Sequence, residues 1–124
     1  MKHNRPKNLN LMTVRFPVTA ISSILHRITG VILFIAIPIV LWALQKSFNP
    51  AGFAELQDGL NNNFICQLVF WAIVTAVAYH IIAGVRHLLM DAGIGESLEG
   101  GKRGALAVII LSAITAVLLG VWVW

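Results

Sequence analysis

Two clusters of histidine and arginine sit at the edges of long apolar runs in this chain of 124 residues. One is Ser22-Ser23-Ile24-Leu25-His26-Arg27; the other is Tyr79-His80-Ile81-Ile82-Ala83-Gly84-Val85-Arg86-His87. Ionisable groups at membrane depth are costly, so they are functional candidates by default. His80 lies roughly six residues, or about 9 Å along a helix axis, from Arg86, which puts it within or just below the hydrocarbon boundary. A neutral imidazole there is a good axial ligand for haem iron. His80, Gly84 and His87 fall at i, i+4 and i+7 on one helix face, and Gly84 would let a flat macrocycle or another helix approach closely. The same pattern also fits a histidine that hydrogen-bonds a neighbouring helix, with Gly84 as a packing notch.

Haem b usually takes two axial histidines, and His26, His87 and His3 are the other candidates in this chain. His26 and His87 sit nearer the boundary than His80, so a second ligand from a partner subunit is as consistent as one from this chain. Arg27 offers a fork of donors suited to a carboxylate such as a haem propionate. It could equally snorkel to the interface. Ser23 is read as lying one turn deeper than Arg27 on the same face. Hydroxyl and guanidinium together could hold the carbonyl oxygens of a quinone head group. Ser22 and Ser23 also suit a role as small packing residues. His87 and Asp91 stand at i and i+4 and can pair, orienting the ring or capping the helix at the interface.

These residues need membrane-spanning elements to position them. The chain is 58% hydrophobic and only 11% charged, where a soluble domain carries about 25% charged residues. Helices are expected at approximately 18–45, 64–90 and 104–124, in one membrane domain over residues 1–124. The first helix exceeds the bilayer core and must protrude or tilt, and Pro38 could kink it. The first loop allows a short surface helix capped by Asp58; residues 92–103 form a second loop rich in glycine and charge. The expected fold is an all-α integral membrane protein with three transmembrane helices. Lys2, Arg5, Lys7, Arg15 and Arg27 precede the first span, Arg86, Lys102 and Arg103 lie between the last two, and nothing charged follows Arg103. The positive-inside rule then puts the N-terminus in the cytoplasm and the C-terminus in the periplasm.

Several function classes drop out. The basic arm is accounted for by topology, so nucleic acid is not an expected partner. The one cysteine, Cys66, gives no disulfide framework, and no Cys-x-x-Cys-His is present for covalent haem. The N-terminus does not read as a cleaved signal peptide. No acidic residue lies inside a span, whereas many proton-coupled transporters need one. No nucleotide loop, zinc motif or nucleophile–base pair is present.

The chain resembles the cytochrome b subunit of succinate dehydrogenase, the large membrane anchor of respiratory complex II of the proteobacterial type. The resemblance runs end to end. It is carried by Arg5-Pro6, Thr13-Val14-Arg15-Phe16-Pro17, Ser22 to Gly30, and His80-x-x-x-Gly84-x-Arg86-His87-Leu88-x-x-Asp91. It implies that His80 is an axial haem b ligand, with the opposite ligand from a small hydrophobic anchor subunit. It implies that Ser23 and Arg27 line the ubiquinone site and that His26 and Arg27 lie near the haem propionates. The implied setting is the bacterial inner membrane. A flavoprotein subunit oxidises succinate there, and electrons pass through an iron–sulfur subunit to ubiquinone. This chain would not bind succinate or be an enzyme by itself. A quinol:fumarate reductase anchor and a haem-free structural anchor are the alternatives.

Overall fold

The computed structural model describes residues 17–124, so His3, Arg5-Pro6 and Thr13 to Phe16 lie outside the described residues. Four helices follow in order: α1 (Val18–Ser47), α2 (Pro50–Asn62), α3 (Phe64–Asp91) and α4 (Leu98–Val123). α1, α3 and α4 are long and apolar enough to cross a membrane. At about 1.5 Å per residue the 30 residues of α1 reach about 45 Å, beyond the ~30 Å hydrocarbon core. It therefore protrudes or tilts, as expected. Pro17 occupies the N-cap position of α1, and the helix continues through Pro38 without a break.

The expected surface helix is present as α2, but its cap is Asn49 and not Asp58. The Asn49 side chain accepts from the Ala51 amide at 2.9 Å, and Pro50, with its fixed φ, starts the helix. Asp58 lies well inside α2 and accepts from the Asn62 side-chain Nδ2 at 2.7 Å. A Cβ on Gly52 would strike the Lys46 carbonyl, so a glycine is needed where α2 folds back on α1. Asn63 then closes α2 and opens α3, its side chain accepting from the Ile65 and Cys66 amides.

The second loop is shorter than the expected 92–103, because α4 begins at Leu98 and not at 104. Ser97 caps it by accepting from the Gly100 amide at 2.9 Å. Glu99 pairs with Arg103 at 2.7 Å along the first turns. The preceding turn depends on Gly93 and Gly95, whose φ values of 88° and 72° are left-handed and costly for any residue with a Cβ.

α3 is the central element, packed against α1 on one side and α4 on the other. The buried positions are mostly small or short: Ser22, Ala36, Ala76, Ala83, Gly101, Ala105 and Val108. Membrane helices associate in this manner because close backbone approach, not a hydrophobic drive, holds them together. Tyr79 is the one large side chain buried at this seam. At the far end Trp71 donates to the Ala116 carbonyl at 2.9 Å, and Phe64, Trp71 and Trp124 cluster around it.

Candidate functional site

The site is built at the crossing of α1 and α3. The two helices are antiparallel, and each carries a His-x-x-x-Gly step: His26 with Gly30, and His80 with Gly84. At i and i+4 the histidine and the glycine of each helix share a face. Antiparallel pairing sets each ring over the other helix's glycine. A Cβ built on Gly30 would lie 3.4 Å from His80 Cε1, and one on Gly84 would lie 3.7 Å from His26 Nε2. The two imidazoles therefore stack, with centroids 4.0 Å apart and planes 12° from parallel. Gly84 was expected to make room for a macrocycle or a neighbouring helix. In this chain it makes room for His26.

Thr29 ties the crossing together. Its hydroxyl donates to the His26 carbonyl at 2.9 Å, and its oxygen lies 3.2 Å from His80 Nδ1. One turn away, Tyr79 donates its hydroxyl to the Ser22 carbonyl at 2.7 Å, and Ser22 is almost fully buried at 1% exposure. Arg86 faces α4, not the crossing: its guanidinium donates to the Gly101 carbonyl at 3.0 Å.

Ser22 and Ser23 are separated by these contacts. Ser22 is the packing residue; Ser23 is exposed, as is Arg27. Ser23 precedes Arg27 in α1, so it is nearer the helix start and not one turn deeper. The two share a strip with Gly30 and Phe34, at successive steps of four, three and four residues. Phe34 is 75% exposed. On α3, Val77, His80, Ile81 and Gly84 share the neighbouring strip, and Val77 and Ile81 are 39% and 59% exposed. Among the described residues the surface beside His80 is thus largely apolar and exposed, with an imidazole, a guanidinium and the Ser23 hydroxyl as its polar features.

This arrangement tells what the chain can and cannot do alone. Among the described residues no group of three or more His, Cys, Asp or Glu side chains is placed to hold a metal ion. A cleft of about 380 Å³ opens between α1, α3 and α4, lined by Thr29, Thr75, Tyr79 and Ser112 among others. A second, of about 480 Å³, runs beside Arg86 and the start of α4. Ser23 and Arg27 line neither of them. A head group held by that pair would need a wall from a partner. His87 and Asp91 form the expected i, i+4 pair at 3.6 Å, both largely exposed, which contributes little to stability.

Thr29, Gly30 and Tyr79 were not among the expected site residues. A readable sign was present for Gly30: the His-x-x-x-Gly spacing of α3 occurs a second time, in α1.

Three membrane-length helices with a histidine pair at their crossing define a multi-pass α-helical membrane protein. Residues 1–119 match the family described as succinate dehydrogenase/fumarate reductase transmembrane subunit. The chain is similar to the succinate dehydrogenase cytochrome b556 subunit of Coxiella burnetii, at 40% identity over 100% of both chains. It is also similar to that of Paracoccus denitrificans, at 34% identity over 93% of this chain and 88% of the other. The succinate dehydrogenase cytochrome b560 subunit of Reclinomonas americana is 30% identical over 80% of this chain and 72% of its own length. The chain belongs to the succinate dehydrogenase/fumarate reductase transmembrane subunit family, as a membrane anchor.

Proposed function

We propose that this chain is the cytochrome b anchor of a succinate:ubiquinone oxidoreductase in the bacterial inner membrane, with its N-terminus in the cytoplasm. The observation that carries the reading is His80. Its ring is braced by His26 and Thr29 and sits beside an apolar strip that is exposed among the described residues. That surface suits a flat, largely apolar group sandwiched between this chain and another. His80 would hold haem b from this chain, and a small hydrophobic anchor subunit would supply the other ligand. His26 and Arg27 lie toward the propionates, where a guanidinium fork pairs with carboxylates. When bound, the haem supplies one-electron redox chemistry.

Ser23 and Arg27 hold the ubiquinone head group, in a pocket completed by the iron–sulfur subunit and the second anchor. Both donate hydrogen bonds, and both are strongest where negative charge gathers on the quinone oxygens as two electrons and two protons convert quinone to quinol. The flavoprotein subunit oxidises succinate; this chain anchors the assembly and shapes the acceptor site. The family description embraces both succinate dehydrogenase and fumarate reductase. The relatives that carry the succinate dehydrogenase name favour the oxidative direction.

Arg27→Leu in the assembled complex tests the quinone role. Quinone reduction should fall about a hundredfold, the loss typical of one donor to developing oxyanion charge. Succinate oxidation with an artificial acceptor at the flavin site should persist. Undiminished quinone reduction would leave Arg27 as an interfacial anchor only.

A further inference from the structure

Thr29 carries an inference beyond the ligand assignment, although it rests on the reading that His80 binds haem iron. A threonine hydroxyl has one proton to give and lone pairs to receive. Here the proton goes to the His26 carbonyl, at 2.9 Å, the shorter of its two contacts. The oxygen is left to accept from the group 3.2 Å away, His80 Nδ1. That nitrogen must then carry a hydrogen.

We propose that Thr29 is a positioning residue that fixes His80 as its Nδ1–H tautomer, keeping the Nε2 lone pair for the iron. Three contacts hold the ring in that pose. Thr29 accepts a hydrogen bond from Nδ1–H, Gly30 leaves room for the Nδ1–Cε1 edge, and His26 covers one ring face. The opposite tautomer would place its lone pair toward Thr29, whose proton is already committed, and a proton where the iron must bind. A metal-bound histidine whose second nitrogen donates to an oxygen is the more basic ligand. Thr29 therefore favours the ferric state and holds the haem potential down. The device lies entirely within this chain and needs no residue of a partner.

The test is an equilibrium redox titration of the haem in the purified complex, in wild type, Thr29→Val, Thr29→Ser and Gly30→Ala. Thr29→Val keeps the shape and removes the acceptor. It should raise the midpoint potential by roughly a tenfold change in ferric-over-ferrous preference, about 59 mV for a one-electron couple. Thr29→Ser should restore the wild-type value. Gly30→Ala leaves the hydroxyl intact and sets a methyl against Cε1 at 3.4 Å, the near limit of ordinary contact, so it should move the potential the same way by less, giving a second reading if Thr29→Val does not assemble. A wild-type potential in both Thr29→Val and Gly30→Ala, with the haem band still lost in His80→Ala, would overturn the tautomer role alone. A haem band that survives His80→Ala unchanged would overturn the ligand assignment and this inference with it.

Discussion

The Tyr79 hydroxyl fastens α3 to α1. It is buried, it donates to the Ser22 carbonyl at 2.7 Å, and its oxygen lies 3.4 Å from the Ser22 hydroxyl. Tyr79→Phe should therefore destabilise the assembled subunit by about 1 kcal/mol, within the range for interhelical hydrogen bonds in membranes. Thermal unfolding of the detergent-solubilised complex checks this; an unchanged midpoint would mean that the bond contributes nothing net. The neighbouring serines show what a sequence leaves open at this scale. Ser22 and Ser23 differ by about 100° around the helix, so one must face inward and the other outward. Their composition does not say which. The inward one is decided by where the Tyr79 ring ends, a contact across 57 positions of chain. His80 was legible because an ionisable group deep in an apolar run is conspicuous. Thr29 was not, because a hydroxyl in a helix usually bonds its own backbone, and here it does both.

At the scale of elements, glycines set how closely the helices approach. The Cβ clearances differ, and graded outcomes follow from them. At Gly84 the nearest atom would be 3.7 Å away, ordinary contact, so Gly84→Ala should be tolerated. Gly84→Leu overfills the space above His26 and should cost roughly 1–3 kcal/mol, the usual range for overpacking. At Gly104 a Cβ would sit 3.0 Å from Arg86 Nε, so Gly104→Ala must push the guanidinium and strain its bond to the Gly101 carbonyl. Proteolysis or thermal inactivation of the complex should rank these variants wild type, Gly84→Ala, Gly104→Ala, Gly84→Leu; Gly84→Leu as stable as wild type would contradict the close-packed crossing. The spans were legible from hydropathy, and two boundaries were missed for physical reasons. The first turns of α4 carry Gly100, Gly101, Lys102 and Arg103, which read as loop, whereas the Ser97 cap and the Glu99–Arg103 pair make them helical. In the first loop the Asn49-Pro50 pair starts the helix well before Asp58.

At the scale of the whole molecule, α1 is striking for how little it buries. Only Ser22 and Ala36 are buried along its 30 residues, while Phe34, Val31 and Ile35 are 75%, 60% and 59% exposed. Lipid can cover such a surface, but the strip beside His80 also bears Ser23 and Arg27, which hydrocarbon would not accommodate well. The account therefore places partner subunits on that side and lipid elsewhere. The charge pattern makes a separate forecast: with Cys66 replaced by alanine, a cysteine introduced at Ser97 should react with an impermeant maleimide only from the cytoplasmic side of oriented vesicles. Labelling from the periplasmic side would invert the topology. In the sequence a second ligand opposite His80 was as consistent with a partner subunit as with this chain. The exposed strip of α1 beside His80, where such a partner would sit, could be read only once the described helices were packed.

The central claim is that, of two histidines in ring contact, only one ligates iron. The direct measurement is a dithionite-reduced minus oxidised absorption spectrum of the purified complex, taken in parallel for wild type, His80→Ala and His26→Ala. The account predicts a sharp b-type α band in wild type, its loss or strong alteration in His80→Ala, and its retention in His26→Ala. A band that survives His80→Ala at full intensity, or that disappears only in His26→Ala, would contradict it.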